Sequence, residues 1–351
     1  MSSAEAVAVQ EVTTKVTYRF NDGVEYEAVS SEGDTLLDVA RNNEIPVIHQ
    51  CLTGSCASCI CKVNEGDVGM DSERLMSLLP SEQREGFRLT CTAYAETDCV
   101  VDLDYPSTFS EDHAASQSVI TITELEWVNH NTVRIEADLA EDAEMENFEA
   151  GQYVQLKVPG TEDWRSYSMA STVRDLPELT FYIRVLDDGV MSNYLRDRAQ
   201  VGDELEIDGP YGVFYLREEK VPQIMIAGGT GLAPMMSMID TLRLNNFRRK
   251  PVILAFGCSF EKDLFAQEDL ELRGNWMRNL DVRTCVSRPE GDWDGLTMRA
   301  QYSITEDDIT EDTIAYLCGP PAMNEAAREH LEELGVKGEN IHVELFDTAH
   351  A

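Results

Sequence analysis

Four cysteines carry the clearest chemistry in this chain: Cys51, Cys56 and Cys59 in a C-x4-C-x2-C run, with Cys91 well downstream. Thr53-Gly54-Ser55 and Ala57-Ser58 between the first three are small. Small residues let backbone N–H groups approach the bridging sulfides of an iron–sulfur cluster, where bulky ones would hold the backbone off. A structural zinc site is the alternative. Zinc usually takes paired C-x2-C knuckles, and Cys91 has no partner at that spacing. Cys61 and Cys99 read as packing residues or bystanders. Nine cysteines is an odd number, and the crowding of three of them points to metal chemistry before disulfides.

Two further groups of residues suit organic cofactors. Arg165-Ser166-Tyr167-Ser168-Met169 ends a β-type segment. It offers a cation for a phosphate, an aromatic ring to lie along a flavin, and a hydroxyl for the ring edge where hydride arrives. A barrel strand could carry the same residues for packing alone. Downstream, Gly189-Val190-Met191-Ser192 opens a helical stretch whose N–H groups and Ser192 could bind pyrophosphate. Gly209-Pro210-Tyr211-Gly212 reads as a turn beside it, or as a plain type II turn. Gly228-Gly229-Thr230-Gly231-Leu232-Ala233-Pro234 joins a strand to a helix. It is neither a Walker loop nor G-x-G-x-x-G, but its glycines would admit a diphosphate and Pro234 suits a first helical turn. Cys318-Gly319-Pro320-Pro321 ends another strand at the carboxyl edge of a sheet. Cys318 would face a nicotinamide there, or be a small buried hydrophobe. A 2′-phosphate wants arginine after the strand Val252–Gly257. Cys258-Ser259-Phe260-Glu261-Lys262-Asp263 is mostly acidic, which favours NADH.

The elements that must position these groups fall into blocks. Residues 1–13 read as a frayed tail. Lys15 to Phe20 alternates as a strand, Asn21-Asp22-Gly23 turns it into Val24 to Val29, and Asp34 to Asn42 reads as a helix with Asp34 as N-cap. The cysteine loop follows, completing a first domain over 1–106. Residues 107–117 are polar and poor in apolar side chains, and read as a linker. From 118 to 216 short alternating segments such as Tyr153 to Val158 and Leu179 to Val185, punctuated by glycines, point to a small antiparallel β-barrel. From 217 to 351 the rhythm becomes strand–glycine–helix. Gln223 to Ala227, Val252 to Gly257 and Thr313 to Leu317 are strands, and an apolar helix ends at Leu244. This is a parallel α/β sheet.

At 351 residues and 43% apolar content the chain can build two or three cores. The first residues have no basic, apolar leader pattern, and no run is long enough to span a membrane. A cytoplasmic protein is expected, monomeric outside any complex. The formal charge is −37 and lysine is scarce, which argues against nucleic acid and anionic lipid as partners. Such a surface could be tuned for solubility or salt, or could dock a basic partner.

R-x-Y-S, G-G-T-G-x-A-P and C-G-P-P, in this order and spacing, resemble the ferredoxin–NADP reductase superfamily. The cysteine pattern is that of a plant-type ferredoxin. With that ferredoxin fused in front, the chain resembles the reductase components of bacterial oxygenases. It looks most like the reductase of soluble methane monooxygenase and related di-iron alkane and alkene monooxygenases, through Leu125–Val128, Asn131–Val133, Pro159-Gly160-Thr161 and Gly209–Phe214. The resemblance implies a multidomain protein: a β-grasp-type α+β [2Fe–2S] domain, a β-barrel FAD domain and an NAD domain. It implies that Arg165 binds flavin phosphate, Tyr167 stacks on the flavin, Ser168 meets N5, and Gly189, Met191 and Ser192 hold the FAD pyrophosphate. Gly228, Gly229, Thr230 and Gly231, with Gly319 and Pro320, would cradle the dinucleotide. Cys318 and Glu344 would line the hydride-transfer site, with Phe346 near the flavin. Cys51, Cys56, Cys59 and Cys91 would hold the cluster. One departure is Leu52-Thr53, where oxygenase reductases often carry Arg-Glu. The implied route runs from NADH to FAD to [2Fe–2S] to a hydroxylase with its own iron. The alternative partner is a Rieske-type aromatic dioxygenase.

Overall fold

A computed structural model describes residues 13–71, 77–217, 219–291 and 293–346. The N-terminal tail lies largely outside these residues. The chain folds as two compact units, one up to Asp112 and one from His113.

The first unit holds β1 (Thr14–Phe20), β2 (Glu25–Ser30), α1 (Leu36–Asn42), β3 (Ile60–Glu65), β4 (Val68–Met70), α2 (Pro80–Arg84), β5 (Phe87–Leu89), β6 (Ala93–Ala95), β7 (Cys99–Leu103) and α3 (Phe109–Asp112). Its main sheet has the order β2-β1-β7-β3-β5, with β1 and β7 parallel and the other neighbours antiparallel. This is the expected β-grasp-type α+β arrangement. Tyr18, Phe20, Leu36, Leu37, Val101 and Leu103 are buried between sheet and helix. The cap falls one residue later than Asp34, and the helix runs from Leu36. Thr35 is the N-cap: its hydroxyl accepts from Asp38 N–H at 3.1 Å, and the Asp38 carboxylate accepts from Thr35 N–H at 3.1 Å. The Asp34 carboxylate is already engaged, accepting from Ser31 N–H. Within the stretch read as a linker lie α3 and the first residues of the next strand. Ser107 is tied back to Asp22 through its N–H at 2.8 Å and its hydroxyl at 2.7 Å.

The second unit begins with β8 (Ser116–Asn129), β9 (Thr132–Leu139), β10 (Tyr153–Lys157), β11 (Trp164–Ser168), β12 (Glu178–Arg184), α4 (Val190–Asp197) and β13 (Glu204–Tyr211). These six strands form one antiparallel sheet ordered β11-β10-β13-β8-β9-β12. Its ends meet where Ala170 N–H donates to Thr180 O at 2.8 Å, which closes the barrel. Alternate residues such as Ile120, Ile122, Val133, Ile135, Leu156 and Phe181 fill the interior. The segment Gly209–Tyr211 is the end of β13 and not a turn. Tyr211 pairs there with Tyr153, and the chain turns at Gly212, whose φ is +96°.

The chain continues as β14 (Gln223–Gly228), α5 (Leu232–Leu244), β15 (Val252–Cys258), α6 (Gln267–Trp276), β16 (Leu280–Val286), β17 (Ile314–Gly319), α7 (Pro321–Glu333) and β18 (Ile341–Leu345). The sheet is all parallel, in the order β16-β15-β14-β17-β18. Strand order therefore reverses between β14 and β17, the position where open α/β sheets bind ligands. Met225, Ala227, Leu254, Phe256 and Tyr316 are buried under α5.

Candidate functional site

The cysteine loop sits between α1 and β3, and Cys91 follows β5. Its backbone departs from ordinary geometry at Leu52, Gly54 and Ala57, with φ of +59°, +81° and +54°. For a bulky residue such as Leu52 the left-handed region costs about 1 kcal/mol relative to glycine. The loop gains by aiming Thr53 N–H and Ser55 N–H at Cys51 Sγ, each at 3.4 Å. Buried Ser77 braces it: Ala57 N–H donates to Ser77 Oγ at 3.0 Å, and that hydroxyl donates to Gly54 O at 3.1 Å. Sequence spacing had not singled out Ser77, since it lies far along the chain and has no motif.

The four sulfurs meet as two pairs. The thiols act on each other as neighbours, Cys51 with Cys56 and Cys59 with Cys91, and Cys91 also feels Cys51 and Cys56 electrostatically. Cys56, with help from Ser55 and Thr53, holds Cys51 down to about 3 against burial. Cys59 likewise lowers Cys91. Among the described residues no three His, Cys, Asp or Glu side chains gather around one point. Two pairs of thiols suit a two-iron cluster, with one pair for each iron. Cys61 and Cys99 are buried, with their thiols pushed up chiefly by burial, as packing residues should be.

Arg165, Tyr167 and Ser168 lie on β11 opposite Leu156, Val154 and Tyr153 of β10. Arg165 Nε is buried without a partner, while its NH1 donates to Trp164 O at 2.9 Å and lies 3.8 Å from Asp163. An orphaned guanidinium donor of this kind fits a phosphate oxygen. Tyr167 packs against the barrel core and burial raises its phenol; Ser168 is buried beside it. Gly189 is the N-cap of α4 and brings no side-chain cap. Asn193 N–H is the first to bond back, to Gly189 O at 2.8 Å, so the N–H groups of Val190, Met191 and Ser192 have no partner within the helix. Met191 can contribute only its backbone, because its side chain is buried in the barrel. Ser192 Oγ accepts from Leu186 N–H at 2.9 Å, which leaves its proton to donate.

The glycine loops after β14 and β17 pack against each other. A Cβ on Gly231 would overlap the Cys318 carbonyl, and one on Gly228 would sit 2.6 Å from Met323 Sδ. Gly228, Gly229, Thr230 and Gly231 thus reach the switch point beside Gly319 and Pro320. Cys318 is fully buried, and burial pushes its thiol well up, with Glu344 beside it adding to the effect; it is a neutral thiol in the core beneath Gly231. Phe346 N–H donates to Gly319 O at 3.0 Å. The fully buried amide of Asn324 on α7, also missed from sequence, donates to Gly319 O at 3.1 Å and Glu344 O at 2.9 Å. It ties the Cys318–Gly319 loop to the segment bearing Glu344 and Phe346. After β15, Asp263 accepts from Phe260 N–H, Glu261 accepts from Glu290 N–H, and Lys262 lies over the Phe260 ring. Arg288, after β16, donates its backbone N–H to Ser259 O at 2.9 Å and has an exposed side chain.

Three family descriptions match in series: a 2Fe-2S iron-sulfur cluster binding domain over residues 20–96, an oxidoreductase FAD-binding domain over 119–215 and an oxidoreductase NAD-binding domain over 225–329. The fold and these domains define an oxidoreductase of the iron–sulfur flavoprotein class, with FAD, NAD and a [2Fe–2S] cluster as cofactors. The toluate 1,2-dioxygenase electron transfer component of Pseudomonas putida is 32% identical over 336 residues, covering 95% of this chain and 99% of that protein. The propane 2-monooxygenase reductase component of Gordonia sp. (strain TY-5) is 32% identical, over 95% and 97%. Among solved structures, the Amycolatopsis reductase GcoB superposes with a TM-score of 0.68 at 26% identity, over 94% of this chain and 98% of that one. The chain belongs to the ferredoxin–NADP-reductase-like family of electron-transfer components of oxygenase systems, and is an NAD(P)H-dependent reductase component. Among the described residues no helix is long and apolar enough to cross a membrane.

Proposed function

We propose that this chain is the NADH-dependent, cytoplasmic reductase of a di-iron monooxygenase, passing electrons from NADH to FAD to the [2Fe–2S] cluster and out to the hydroxylase. The working domain limits are 1–106, 118–216 and 217–351, joined by 107–117. The observation that carries the reading is the pairing of the four thiols in a chain that also holds the β11 and switch-point sites. When bound, the flavin takes up a two-electron hydride and the cluster carries single electrons onward. Cys51 and Cys56 would hold one iron, and Cys59 and Cys91 the other. Arg165 would neutralise phosphate, the Tyr167 ring would lie along the flavin, and Ser168 would donate to N5. The α4 N-terminus, from Gly189 to Ser192, would take the pyrophosphate. Gly228, Gly229, Thr230, Gly231, Gly319 and Pro320 would seat the dinucleotide. Cys318, as a neutral thiol, would shape the nicotinamide pocket without acting as a base, and Glu344 and Phe346 would close it.

The acids at 261 and 263 support NADH, since no arginine occurs between Cys258 and Asp263. Exposed Arg288 beside Ser259 is the observation that favours NADPH. The relative from the toluate system favours a ring-hydroxylating dioxygenase as the partner. Purified holoprotein mixed with a propane-type hydroxylase or a toluate-type dioxygenase, under NADH or NADPH, tests all three choices. The expected outcome is turnover with the hydroxylase and at least about tenfold higher kcat/KM for NADH. Turnover with the dioxygenase alone, or a preference for NADPH, would overturn the corresponding part.

A further inference from the structure

The turn between β8 and β9 belongs to the barrel, yet its side chains hold the acidic loop that follows β15 in the parallel sheet. Asn129 Nδ2 donates to Asp263 O at 2.8 Å. His130 Nδ1 donates to Lys262 O at 3.1 Å, since a carbonyl can only accept, and its Nε2 lies 3.6 Å from the Asp263 carboxylate. The turn itself orients Asn129: its Oδ1 accepts from Asn131 N–H at 2.9 Å, which leaves Nδ2 to reach across. Asp263 O also accepts from the Cys258 thiol at 3.5 Å. From the segment after β16, Arg288 N–H donates to Ser259 O and Glu290 N–H to Glu261 Oε2, each at 2.9 Å. The 259–263 loop is therefore held from both the barrel and the sheet. Left to itself it is one short turn, with Asp263 N–H bonded to Phe260 O and Leu264 N–H to Glu261 O. A single turn of this kind has little stability of its own.

We propose that Asn129 and His130 are positioning residues for the nicotinamide substrate. They fix the acids at 261 and 263 relative to the barrel, and so set the affinity for the adenosine half of NADH and the rejection of a 2′-phosphate. The proposal deepens the functional reading and rests on its assigning this loop to the adenosine ribose of NADH. An acid at the end of the second strand meets the ribose hydroxyl, and it discriminates only while its place is fixed. A loop tied to the barrel presents its acids in place before binding. A released loop loses entropy on binding and can swing its acids away from a 2′-phosphate.

Steady-state ferricyanide reduction by the FAD-loaded holoprotein tests this. The donors are NADH, NADPH and reduced nicotinamide mononucleotide, which lacks the adenosine half. Asn129→Ser keeps an oxygen for Asn131 N–H but falls short of Asp263 O. It should raise KM for NADH about threefold to tenfold, the loss of one hydrogen bond, with kcat within about twofold of wild type. His130→Ala should do the same. His130→Asn, whose amide can donate where Nδ1 does, should bring KM back to within about twofold of wild type. The ratio of kcat/KM for NADH over NADPH should fall by the same factor in Asn129→Ser and His130→Ala. With the mononucleotide, kcat/KM should keep its wild-type value in every variant, at unchanged flavin content. A merely structural role would lower both donors together. An unchanged KM for NADH in Asn129→Ser and His130→Ala, or an equal loss with NADH and the mononucleotide, would overturn the proposal. Wild type that prefers NADPH, or uses the mononucleotide as well as NADH, would overturn the underlying reading of the loop, and the proposal with it.

Discussion

Replacing Asn324 with leucine should loosen the nicotinamide end of the second unit and leave the first unit unchanged. The Asn324 amide donates to Gly319 O at 3.1 Å and to Glu344 O at 2.9 Å, fully buried. Losing two buried hydrogen bonds, at about 1–1.5 kcal/mol each, costs about 2–3 kcal/mol. The change also removes Asn324 Oδ1, which is buried without a partner, and that recovers about 1 kcal/mol. The net loss is about 1–2 kcal/mol, roughly 2–8 °C in the melting transition of a unit this size. Among the described residues, strand β18 lies at the edge of its sheet and pairs with β17, so the strain falls on its end. Glu344 and Phe346 should shift, raising KM for NADH and lowering kcat in ferricyanide reduction. Flavin content should stay the same, because β11 and α4 are untouched. Calorimetry and steady-state kinetics check both halves. An unchanged melting temperature would refute the energetic argument. A lowered one with wild-type NADH kinetics would refute the placement of Glu344 and Phe346 at the site.

Gly231→Ala puts a methyl group into the Cys318 carbonyl, a backbone clash that cannot be relieved by a side-chain rotation. It should cost about 1–3 kcal/mol and weaken dinucleotide binding while FAD is retained; wild-type NADH affinity in a titration would contradict the close packing of the two loops. Folding stability should rise by several degrees between about 0.1 M and about 1 M KCl, because screening of a −37 chain relieves more repulsion than it removes from exposed pairs such as Lys15–Glu27. A melting temperature that falls with KCl would show that attractive pairs dominate.

Sequence order made the cysteine quartet, the glycine loops and α5 legible, because each is a local signal: ligand spacing, a run of glycines between strand and helix, an apolar face ending at Leu244. What was not legible depends on residues distant in the chain. Ser77 braces the loop at Gly54 and Ala57, and Asn324 ties Gly319 to Glu344; neither pairing leaves a local pattern. Thr35 displaced Asp34 as the α1 cap because Ser31 N–H had already taken the aspartate. Gly209-Pro210 reads as a turn from residue types alone, yet ladder pairing of β13 with β10 extends through Tyr211. The full burial of Cys318 follows from packing beneath Gly231, and a C-G-P-P motif does not display it.

The central claim is that electrons leave through the four thiols, after the flavin. Cys91→Ser removes one thiol of the first unit, whereas the barrel and the parallel sheet belong to the second. Reduction of ferricyanide and of cytochrome c by NADH, measured side by side on FAD-loaded wild type and variant, tests it directly. The account expects the variant to reduce ferricyanide at the wild-type rate and to lose cytochrome c reduction. Loss of both activities with FAD retained, or survival of both, would contradict it.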